Sequence, residues 1–428
     1  MTTLVLLVSE QVLRSICVAI GFLGSLRFIL LGSLAVVYWT WARRRHRPDR
    51  RDESYRPFVT VLVPAYREEK VIASTIQSIL ESDYQRLEIV VVDDGSSDRT
   101  ADVVRQCCID QSRVRLFSQP RRGKAAALNH GLSEARGDVV VTVDADTVVS
   151  REAVGLLAQC FADPRVGAVA GNLKVGNRVN MVTRCQAIEY ITAQSIGRRA
   201  FALLDCMTVV PGPIGAWRRA ALDRVGGFPT ETVVEDQDLT LRVRKLGYSI
   251  RYEERALAWT EAPDTIHGLY RQRRRWMFGT LQCMWRHRDA LLRPRYGTLG
   301  LVGIPNMWIG ILIAMMLPIA DLMFAASVVV ALSKGIVISA TTVERVLGAY
   351  VLVLVADWAT AAIGFLLEGK EQWSLLPWML PQRFYYRQVM YLALMGSVGT
   401  ALLGGRIGWE GLERPITKRR GLGGSVSG

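Results

Sequence analysis

The sequence predicts an α/β domain with a mainly parallel sheet, embedded between transmembrane α-helices. Two observations support this fold class. Half of the 428 residues are apolar, and they are concentrated in the first 41 residues and after about residue 300. Between these regions, short β-branched runs alternate with helical patterns, which is typical of right-handed βαβ units. A disordered or fibrous protein is excluded, because only 21% of the residues are charged.

The first apolar segment, residues 17–41, is long enough to cross a hydrocarbon core of roughly 30 Å. A cleaved signal peptide is the alternative, but the apolar run is too long and an arginine-rich segment follows it. Residues 3–13 are also apolar, which leaves open a second short helix that turns near Gly21 or Gly24. We therefore define residues 1–52 as an N-terminal transmembrane region with a basic juxtamembrane segment.

The soluble middle of the chain, residues 53–297, is expected to form the sheet. Its apolar runs and helical patterns alternate, with strands at residues 58–63, 87–92, 114–117 and 138–143 and helices at residues 69–82, 101–109 and 124–135. Ligands of such sheets bind beyond the carboxyl ends of the strands. The polar residues that directly follow each strand are therefore the candidates for a binding site.

Acidic residues follow two of these strands, with Asp93 and Asp94 after the second and Asp144 and Asp146 after the fourth. In an extended chain, a spacing of two places both carboxylates of the later pair on one side. Their charges repel unless a cation neutralises them, and oxygen ligands favour Mg²⁺ or Mn²⁺. Lys124 opens a helix and adds positive charge for an anion. Ordinary turn chemistry and solvated loop charges are the alternatives.

Two later segments carry further candidates. Glu235 and Asp236 open a helix, where acidic residues are also favoured by the helix dipole alone. Gln272, Arg275 and Trp276 lie in a second helix. An arginine fork beside an aromatic face suits phosphate and sugar binding. A basic helix close to the membrane has the same composition, so the residues themselves leave both readings open.

The C-terminal region, residues 298–405, is predicted to hold transmembrane and interfacial helices. Its apolar stretches are residues 306–332, 346–367 and 388–404. Asp321 and Asp357 lie inside these stretches and should face a bundle interior or a polar path. Three crossings would place the basic tail, residues 406–428, outside the cell, against the positive-inside tendency, so the last crossing stays open. We assign that tail to the cytosol.

The net charge of +14 could indicate a nucleic-acid binder. The basic clusters instead border the apolar segments, and no nucleic-acid-binding motif is present, so no nucleic-acid partner is expected. Seven cysteines without a C-x-x-C pair form neither a disulfide framework nor a zinc site. The soluble domain is therefore expected in a reducing compartment.

Together, four motifs resemble those of the processive family-2 glycosyltransferases that make cellulose, hyaluronan, chitin and poly-N-acetylglucosamine. They are Asp93-Asp94-Gly95, Asp144-Ala145-Asp146, Glu235-Asp236 and Gln272-x-x-Arg275-Trp276. The similarity covers roughly residues 57–280. Stretches that begin at Gly123, Pro164 and Ala216 resemble bacterial poly-β-1,6-N-acetylglucosamine synthases in particular. Val234 departs from the family, which usually has threonine before Glu-Asp.

The resemblance implies a nucleotide-sugar-binding fold of the GT-A type and a role for each motif. Asp236 would be the catalytic base, and Trp276 and Glu235 would contact the acceptor. Asp144 and Asp146 would hold Mg²⁺ or Mn²⁺ on the donor diphosphate. The other donor contacts would be Ala65, Tyr66, Glu68, Asp93, Asp94, Lys124, Gln272 and Arg275.

The function implied is an inverting transferase of the inner (plasma) membrane, multi-pass, with its catalytic domain in the cytosol. It would polymerise a sugar from a UDP-sugar, foremost UDP-N-acetylglucosamine, into a β-linked extracellular polysaccharide and help to translocate it. Its partners would be the donor, the growing polysaccharide, the lipid bilayer and accessory export subunits. Two alternatives stay open: a nonprocessive transferase that adds one sugar to a polyprenyl phosphate or other lipid, and a non-catalytic membrane channel or scaffold.

Overall fold

The computed structural model describes residues 2–45, 54–109, 111–333, 340–369 and 371–405. The predicted basic tail at residues 406–428 lies outside these ranges, as does part of the basic segment after the first apolar run. The side chain of Asp321 is likewise outside the described part of the chain.

A single mixed sheet organises the soluble domain. Its strands are β1 (Val59–Ala65), β2 (Leu87–Asp93), β3 (Val114–Ser118), β4 (Val139–Thr142), β5 (Thr147–Val149), β6 (Val166–Val175), β7 (Gly215–Arg218) and β8 (Ser249–Thr260). Within the described residues their order is β3-β2-β1-β4-β7-β6-β8-β5. Four neighbouring pairs are parallel and three are antiparallel. The α/β prediction is confirmed, with an antiparallel insertion that the sequence pattern did not indicate.

Helices cover both faces of this sheet. Those of the soluble domain are α2 (Ile72–Leu80), α3 (Thr100–Ile109), α4 (Lys124–Glu134), α5 (Ala153–Gln159), α6 (Met181–Glu189), α7 (Ser195–Leu203), α8 (Arg219–Val225), α9 (Glu235–Lys245) and α10 (Ile266–Arg286). Adjacent residues of β1 enter two separate cores: Val61 packs in a cluster with Ile76, and Leu62 in another with Leu128. Each such fully buried side chain contributes about 1.5–3 kcal/mol.

The remaining helices are long and apolar or lie beside such helices. They are α1 (Thr2–Arg45), α11 (Ile304–Ser333), α12 (Ala340–Glu368), the short α13 (Met379–Pro381) and α14 (Arg387–Leu402). Three segments of the described chain are long and apolar enough to cross a membrane, namely Phe22–Arg44, Leu299–Met316 and Val351–Glu368. Helix α1 is continuous, so the alternative of a turn near Gly21 or Gly24 is wrong.

Helix α1 contacts both the sheet and the apolar helix α11. The Tyr38 hydroxyl donates a 2.6 Å hydrogen bond to the carbonyl of Tyr252 in β8, and Ala42 is fully buried in the same core. Nearer the N-terminus, Arg27 Nε donates to Asn306 Oδ1 of α11 at 3.1 Å. The sheet is therefore held directly against the apolar helices. The domain boundaries themselves stay predictions.

The carboxylate of Asp357, which lies in the candidate membrane span Val351–Glu368, contacts two arginines, as expected for a costly buried charge. Arg383 Nη1 and Arg387 Nη2 lie 2.6 Å and 2.8 Å from its Oδ2 atom. Both arginines come from the segment around the π-helical turn Gln382–Tyr386 and the start of α14. This turn is thus tied to helix α12.

Candidate active site

The carboxyl ends of three neighbouring strands meet at one edge of the sheet. In the parallel register of β1 and β2, Ala65 lies opposite Asp93, and the N–H of Asp94 donates to the carbonyl of Ala65 at 2.9 Å. On the other side of β1, Leu62 lies opposite Thr142, the last residue of β4. The loops after these strands therefore open into a common space, because parallel strands end at the same edge.

That space is a cavity of about 1040 Å³, at the upper end of the range usual for small-molecule sites. Its lining contains every predicted site residue except Asp93: Ala65, Tyr66, Glu68, Asp94, Lys124, Asp144, Asp146, Glu235, Asp236, Gln272, Arg275 and Trp276. The fold thus gathers side chains from the whole length of the soluble domain. The chemical roles assigned to them stay predictions.

The two neighbouring aspartates after β2 have different surroundings. Asp93 does not line the cavity, and its Oδ1 atom accepts the N–H of Ser96 at 3.2 Å, which is ordinary turn chemistry. Asp94 accepts three hydrogen bonds, each at 2.8 Å, from Gln119 Nε2, Arg122 N and Gly123 N. Asp94 therefore anchors the loop that leads into Lys124, and a contact between Asp93 and the donor stays a prediction.

Asp144 and Asp146 both line the cavity, but the chain between them is not extended as the spacing argument assumed. A hydrogen bond from the N–H of Thr147 to the carbonyl of Asp144, at 3.0 Å, closes a turn. Asp146 Oδ1 accepts from the hydroxyls of Thr147 and Thr260 at 3.2 Å and 3.3 Å. Burial raises the pKa of Asp144, the Lys124 ammonium opposes the rise, and the Asp146 carboxylate adds to it.

The carboxylate oxygens at this edge are suitable ligands for a magnesium or manganese ion that is shared with a diphosphate. Asp144 and Asp146 supply carboxylate oxygens on the cavity wall. No group of three or more histidine, cysteine or acidic side chains with metal-binding geometry occurs among the described residues. Such ions are usually bound by one or two carboxylates together with waters and substrate phosphates. These two residues could therefore hold the ion once a phosphate ligand is present.

Lys124 joins the acidic residues of the cavity. From the first turn of α4, its Nζ atom lies 2.7 Å from Asp144 Oδ1 and 3.2 Å from Glu235 Oε1. Burial alone would lower the pKa of Lys124, but the carboxylates of Asp144, Glu235 and Asp236 outweigh it and raise the pKa above its ordinary value. The side chain therefore stays charged over the whole physiological range.

Asp236 has the environment that a general base requires. Its Oδ2 atom accepts the N–H of Gly212 at 3.1 Å, and its Oδ1 atom accepts the N–H of Gln237 at 2.8 Å. Burial raises the pKa of Asp236 to about 6, and the Glu235 carboxylate adds to the rise while Lys124 opposes it. A base is most effective when its pKa lies near the working pH.

Gly212 is a site residue that sequence reasoning missed. A Cβ atom at this position would lie 2.9 Å from Lys124 Nζ, 3.5 Å from Asp236 Oδ2 and 4.0 Å from Asp144 Oδ1. Gly212 precedes β7, which runs antiparallel to β4 and places Gly215 opposite Thr142. The only local signal is its position between two prolines. The absence of a side chain here leaves room for the charged groups to meet.

Replacing Gly212 with alanine is expected to reduce sugar transfer strongly with little loss of stability. The added Cβ would displace the Lys124 ammonium, whose flexible side chain can move away. Displacing a charged group by about 1 Å can cost on the order of 100-fold in rate. Turnover and melting temperature of the variant would be compared with those of Gly399→Ala, because a Cβ at Gly399 meets nothing within 4 Å. Unchanged turnover in Gly212→Ala would contradict this assignment.

Helix α10 carries the last group of cavity residues. The helix begins after Thr265, whose hydroxyl accepts the N–H of Gly268 at 3.1 Å. Gln272 and Trp276 are four residues apart and therefore share one face, and Arg275 also lines the cavity. Gln272 Oε1 is buried and has no hydrogen-bond partner in the part of the chain that the structure describes. A buried orphan acceptor at a cavity wall suits a ligand hydroxyl or amide donor.

Two arginines of the cavity wall were also missed by the sequence analysis. The guanidinium carbon of Arg121 lies 4.3 Å from the ring centroid of Tyr66 and can stiffen this predicted uridine contact. Arg198 is 8% exposed, and its Nη1 atom has no hydrogen-bond partner among the described residues. Neither residue belongs to a motif, and only folding brings both to the cavity.

The mixed sheet, with a cavity of charged and aromatic side chains beyond its carboxyl edge, is the arrangement in which α/β enzymes bind their ligands. Residues 56–279 match the family model described as "Glycosyltransferase like family 2". The chain belongs to this family and is a glycosyltransferase. The predicted enzyme class and the family resemblance are therefore confirmed.

Among curated relatives, the chain is 32% identical over 242 residues to the poly-beta-1,6-N-acetyl-D-glucosamine synthase of Staphylococcus aureus. It is 31% identical to the synthase of the same name from Staphylococcus epidermidis. The matched segment covers 56% of this chain and 57% of either relative. The likeness thus spans little more than half the length of each synthase.

Among solved structures, the chain resembles the mannosyltransferase of Pyrobaculum calidifontis in complex with GDP-mannose and Mn²⁺. The TM-score is 0.59 at 24% identity, and the match covers 91% of this chain and 100% of the other. A likeness at this identity shows the fold alone. It confirms the predicted GT-A type architecture.

Proposed function

We propose that this protein polymerises N-acetylglucosamine from UDP-N-acetylglucosamine into a β-linked polysaccharide at the inner membrane. Its catalytic domain would face the cytosol, and its apolar helices would pass the product outward, together with accessory subunits. The observation that carries the proposal is the cavity itself, which unites Asp236, the Asp144 and Asp146 pair and Trp276. The similarity to poly-beta-1,6-N-acetyl-D-glucosamine synthases supports the choice of sugar.

Transfer would be a single displacement with inversion at the anomeric carbon. Asp236 accepts the proton of the acceptor hydroxyl as that oxygen bonds to the anomeric carbon, and the bond to UDP breaks. The hydrogen bonds from Gly212 and Gln237 hold the carboxylate in place. Because burial disfavours its charged form, the carboxylate binds the proton more readily than an exposed one would.

The departing UDP carries the charge of two phosphates, and cationic side chains of the cavity wall can stabilise it. Lys124 and Arg275 both line the cavity, and fixed charges in a site shielded from water are effective because they need no reorganisation during the reaction. Asp144 and Asp146 would hold Mg²⁺ or Mn²⁺, which supplies further positive charge against the diphosphate.

Replacing Asp144 or Asp146 with asparagine is expected to weaken metal-dependent UDP binding. Each change removes a negatively charged oxygen ligand from a hard cation. Calorimetry with UDP, in the presence and absence of Mn²⁺, measures the effect. Asp223→Asn is the matched control, because that aspartate lies outside the cavity and pairs with Arg219. If UDP binds the parent protein equally well with and without the metal, the metal assignment is wrong.

The experiment that tests the function presents the detergent-purified full chain with UDP-glucose, UDP-N-acetylglucosamine and UDP-glucuronate separately. UDP release reports transfer, and sizing and enzymatic digestion of the product report its length and composition. We expect release with UDP-N-acetylglucosamine and a long polymer. A product with one sugar on a lipid would favour the nonprocessive alternative, and no release with any donor would overturn the proposal.

A further inference from the structure

Arg273 lies within the Gln272–Trp276 stretch but does not line the cavity. Its side chain is 3% exposed, and its guanidinium carbon lies 4.4 Å from the ring centroid of Trp276. The two residues are three apart on α10 and are therefore neighbours on its surface. A desolvated guanidinium against an indole is among the stronger cation–π contacts. Arg273 thus contacts the proposed acceptor platform without lining the cavity itself.

Arg273 is in turn held by two residues from distant parts of the chain. Its Nη1 atom lies 2.8 Å from Oε1 of Glu189, at the end of α6. Its Nη2 atom donates to the hydroxyl of Tyr386 at 3.1 Å. The Tyr386 hydroxyl donates to the second carboxylate oxygen of Glu189, which closes a three-membered network. These contacts pair the buried charge and both terminal nitrogens of the guanidinium, while its Nε atom has no hydrogen-bond partner among the described residues.

The network also connects the acceptor platform to the apolar helices. Tyr386 ends the π-helical turn Gln382–Tyr386, and Gln382 Nε2 in this turn donates to the carbonyl of Cys185 in α6 at 3.2 Å. The flanking Arg383 and Arg387 pair with Asp357 of helix α12. Tyr386 therefore links Arg273 to the turn whose arginines pair with helix α12.

We propose that Arg273 is a positioning residue that orients the Trp276 indole for the acceptor, and that Glu189 and Tyr386 hold Arg273 for this task. The inference rests on the proposed function of Trp276 as the acceptor platform. None of these three residues lines the cavity. Substituting any of them should therefore weaken acceptor binding and leave donor binding unchanged. The network fixes the position and orientation of the Trp276 indole. The alignment of the acceptor hydroxyl with Asp236 depends on this orientation.

The test compares Tyr386→Phe, Arg273→Lys and Glu189→Gln with Tyr385→Phe, the adjacent tyrosine outside the network. UDP affinity, melting temperature, product length and the KM for an N-acetylglucosamine oligosaccharide are measured on one preparation of each. Tyr386→Phe removes only a hydroxyl and is the variant that should fold most securely. We expect its acceptor KM to rise by on the order of 10-fold with a shortened product, since small misplacements are costly. UDP affinity should stay within about twofold of the parent.

A second measurement is independent of activity. In protein labelled with 5-fluorotryptophan, the Trp276 resonance is identified by its loss in Trp276→Phe. We expect this resonance to move in Tyr386→Phe and Arg273→Lys but not in Tyr385→Phe. If the parent protein releases no UDP from any donor, the proposed function fails while the resonance still reports the positioning. An unmoved resonance, an unchanged acceptor KM in all three variants, or a parallel loss of UDP affinity and stability would overturn the inference.

Discussion

Asp236→Asn is expected to abolish sugar transfer while UDP binding survives. The change is nearly isosteric, and the asparagine oxygen can still accept the hydrogen bond that Gly212 now donates to the carboxylate. The change removes the capacity to take a proton and one of the two backbone hydrogen bonds that the carboxylate accepts. Loss of a general base typically costs roughly 100- to 10,000-fold in rate. UDP release and UDP affinity would be measured on the same preparation, with Asp223→Asn as the control outside the cavity.

The Asp236→Asn variant distinguishes a catalytic role of Asp236 from a purely structural one. If Asp236 served only the first turn of α9, its replacement would lower the melting temperature and change turnover little, because an acidic residue near a helix N-terminus contributes about 0.3–1 kcal/mol. A variant that retains more than half of the parent activity would remove Asp236 from the role of base.

The pH dependence of the parent enzyme offers an independent check of the same residue. A carboxylate acts as a base only when it is deprotonated, and the pKa of Asp236 is raised from its ordinary value of 3.8 to about 6. The kcat/KM for the donor, which reports groups of the free enzyme, should therefore fall as the pH is lowered through about 6. A profile that stays level down to about pH 4 would indicate a base with an ordinary carboxylate pKa and contradict this environment.

Trp276→Ala is expected to abolish polymerisation while donor binding and folding are largely retained. The half-buried indole lines the cavity and can stack against a sugar ring. Without this platform the acceptor hydroxyl loses its alignment, and a displacement of about 1 Å can cost on the order of 100-fold. Melting temperature, UDP affinity and product length of one preparation measure the effect.

A packing residue would behave differently. Truncation of a core tryptophan costs roughly 3–5 kcal/mol of stability and would lower protein yield and donor binding together. Trp285→Ala is the matched control, since Trp285 lies on the same helix and is 65% exposed. A destabilised Trp276→Ala protein that still makes full-length polymer would defeat the acceptor assignment.

The sequence was sufficient for the parallel half of the sheet and for the location of most candidate residues. The predicted strands at residues 58–63 and 87–92 agree with β1 and β2 to within two residues. These strands are local apolar runs, and their carboxyl ends must lie together once they pair in parallel. The loops that carry Asp94 and Asp144 could therefore be placed at one edge before any coordinates were known.

At that edge of the sheet, the positions of two pairs of aspartates differ from the sequence-based prediction. Asp93 and Asp94 are adjacent in sequence, yet only Asp94 reaches the cavity, because alternate residues leaving a strand point to opposite sides. Asp144 and Asp146 meet the cavity through a turn, not through an extended chain. Neither difference could be read from spacing, which describes a regular strand and fails where the strand ends.

The sequence by itself determined that a soluble α/β domain lies between apolar helices and that its acidic, basic and aromatic motifs follow the order of a sugar-transferring family. Only the tertiary structure decided that Gly212 lies beside Lys124 and Asp236 and leaves room for them, and that Arg273 contacts Trp276 and does not line the cavity. The physical reason is the same for both. The antiparallel pairing of β7 with β4 places Gly212 at the cavity. Tyr386, some 110 residues beyond Arg273 in the chain, hydrogen-bonds to that arginine. Contacts between segments so far apart in the chain leave no periodic pattern in the sequence.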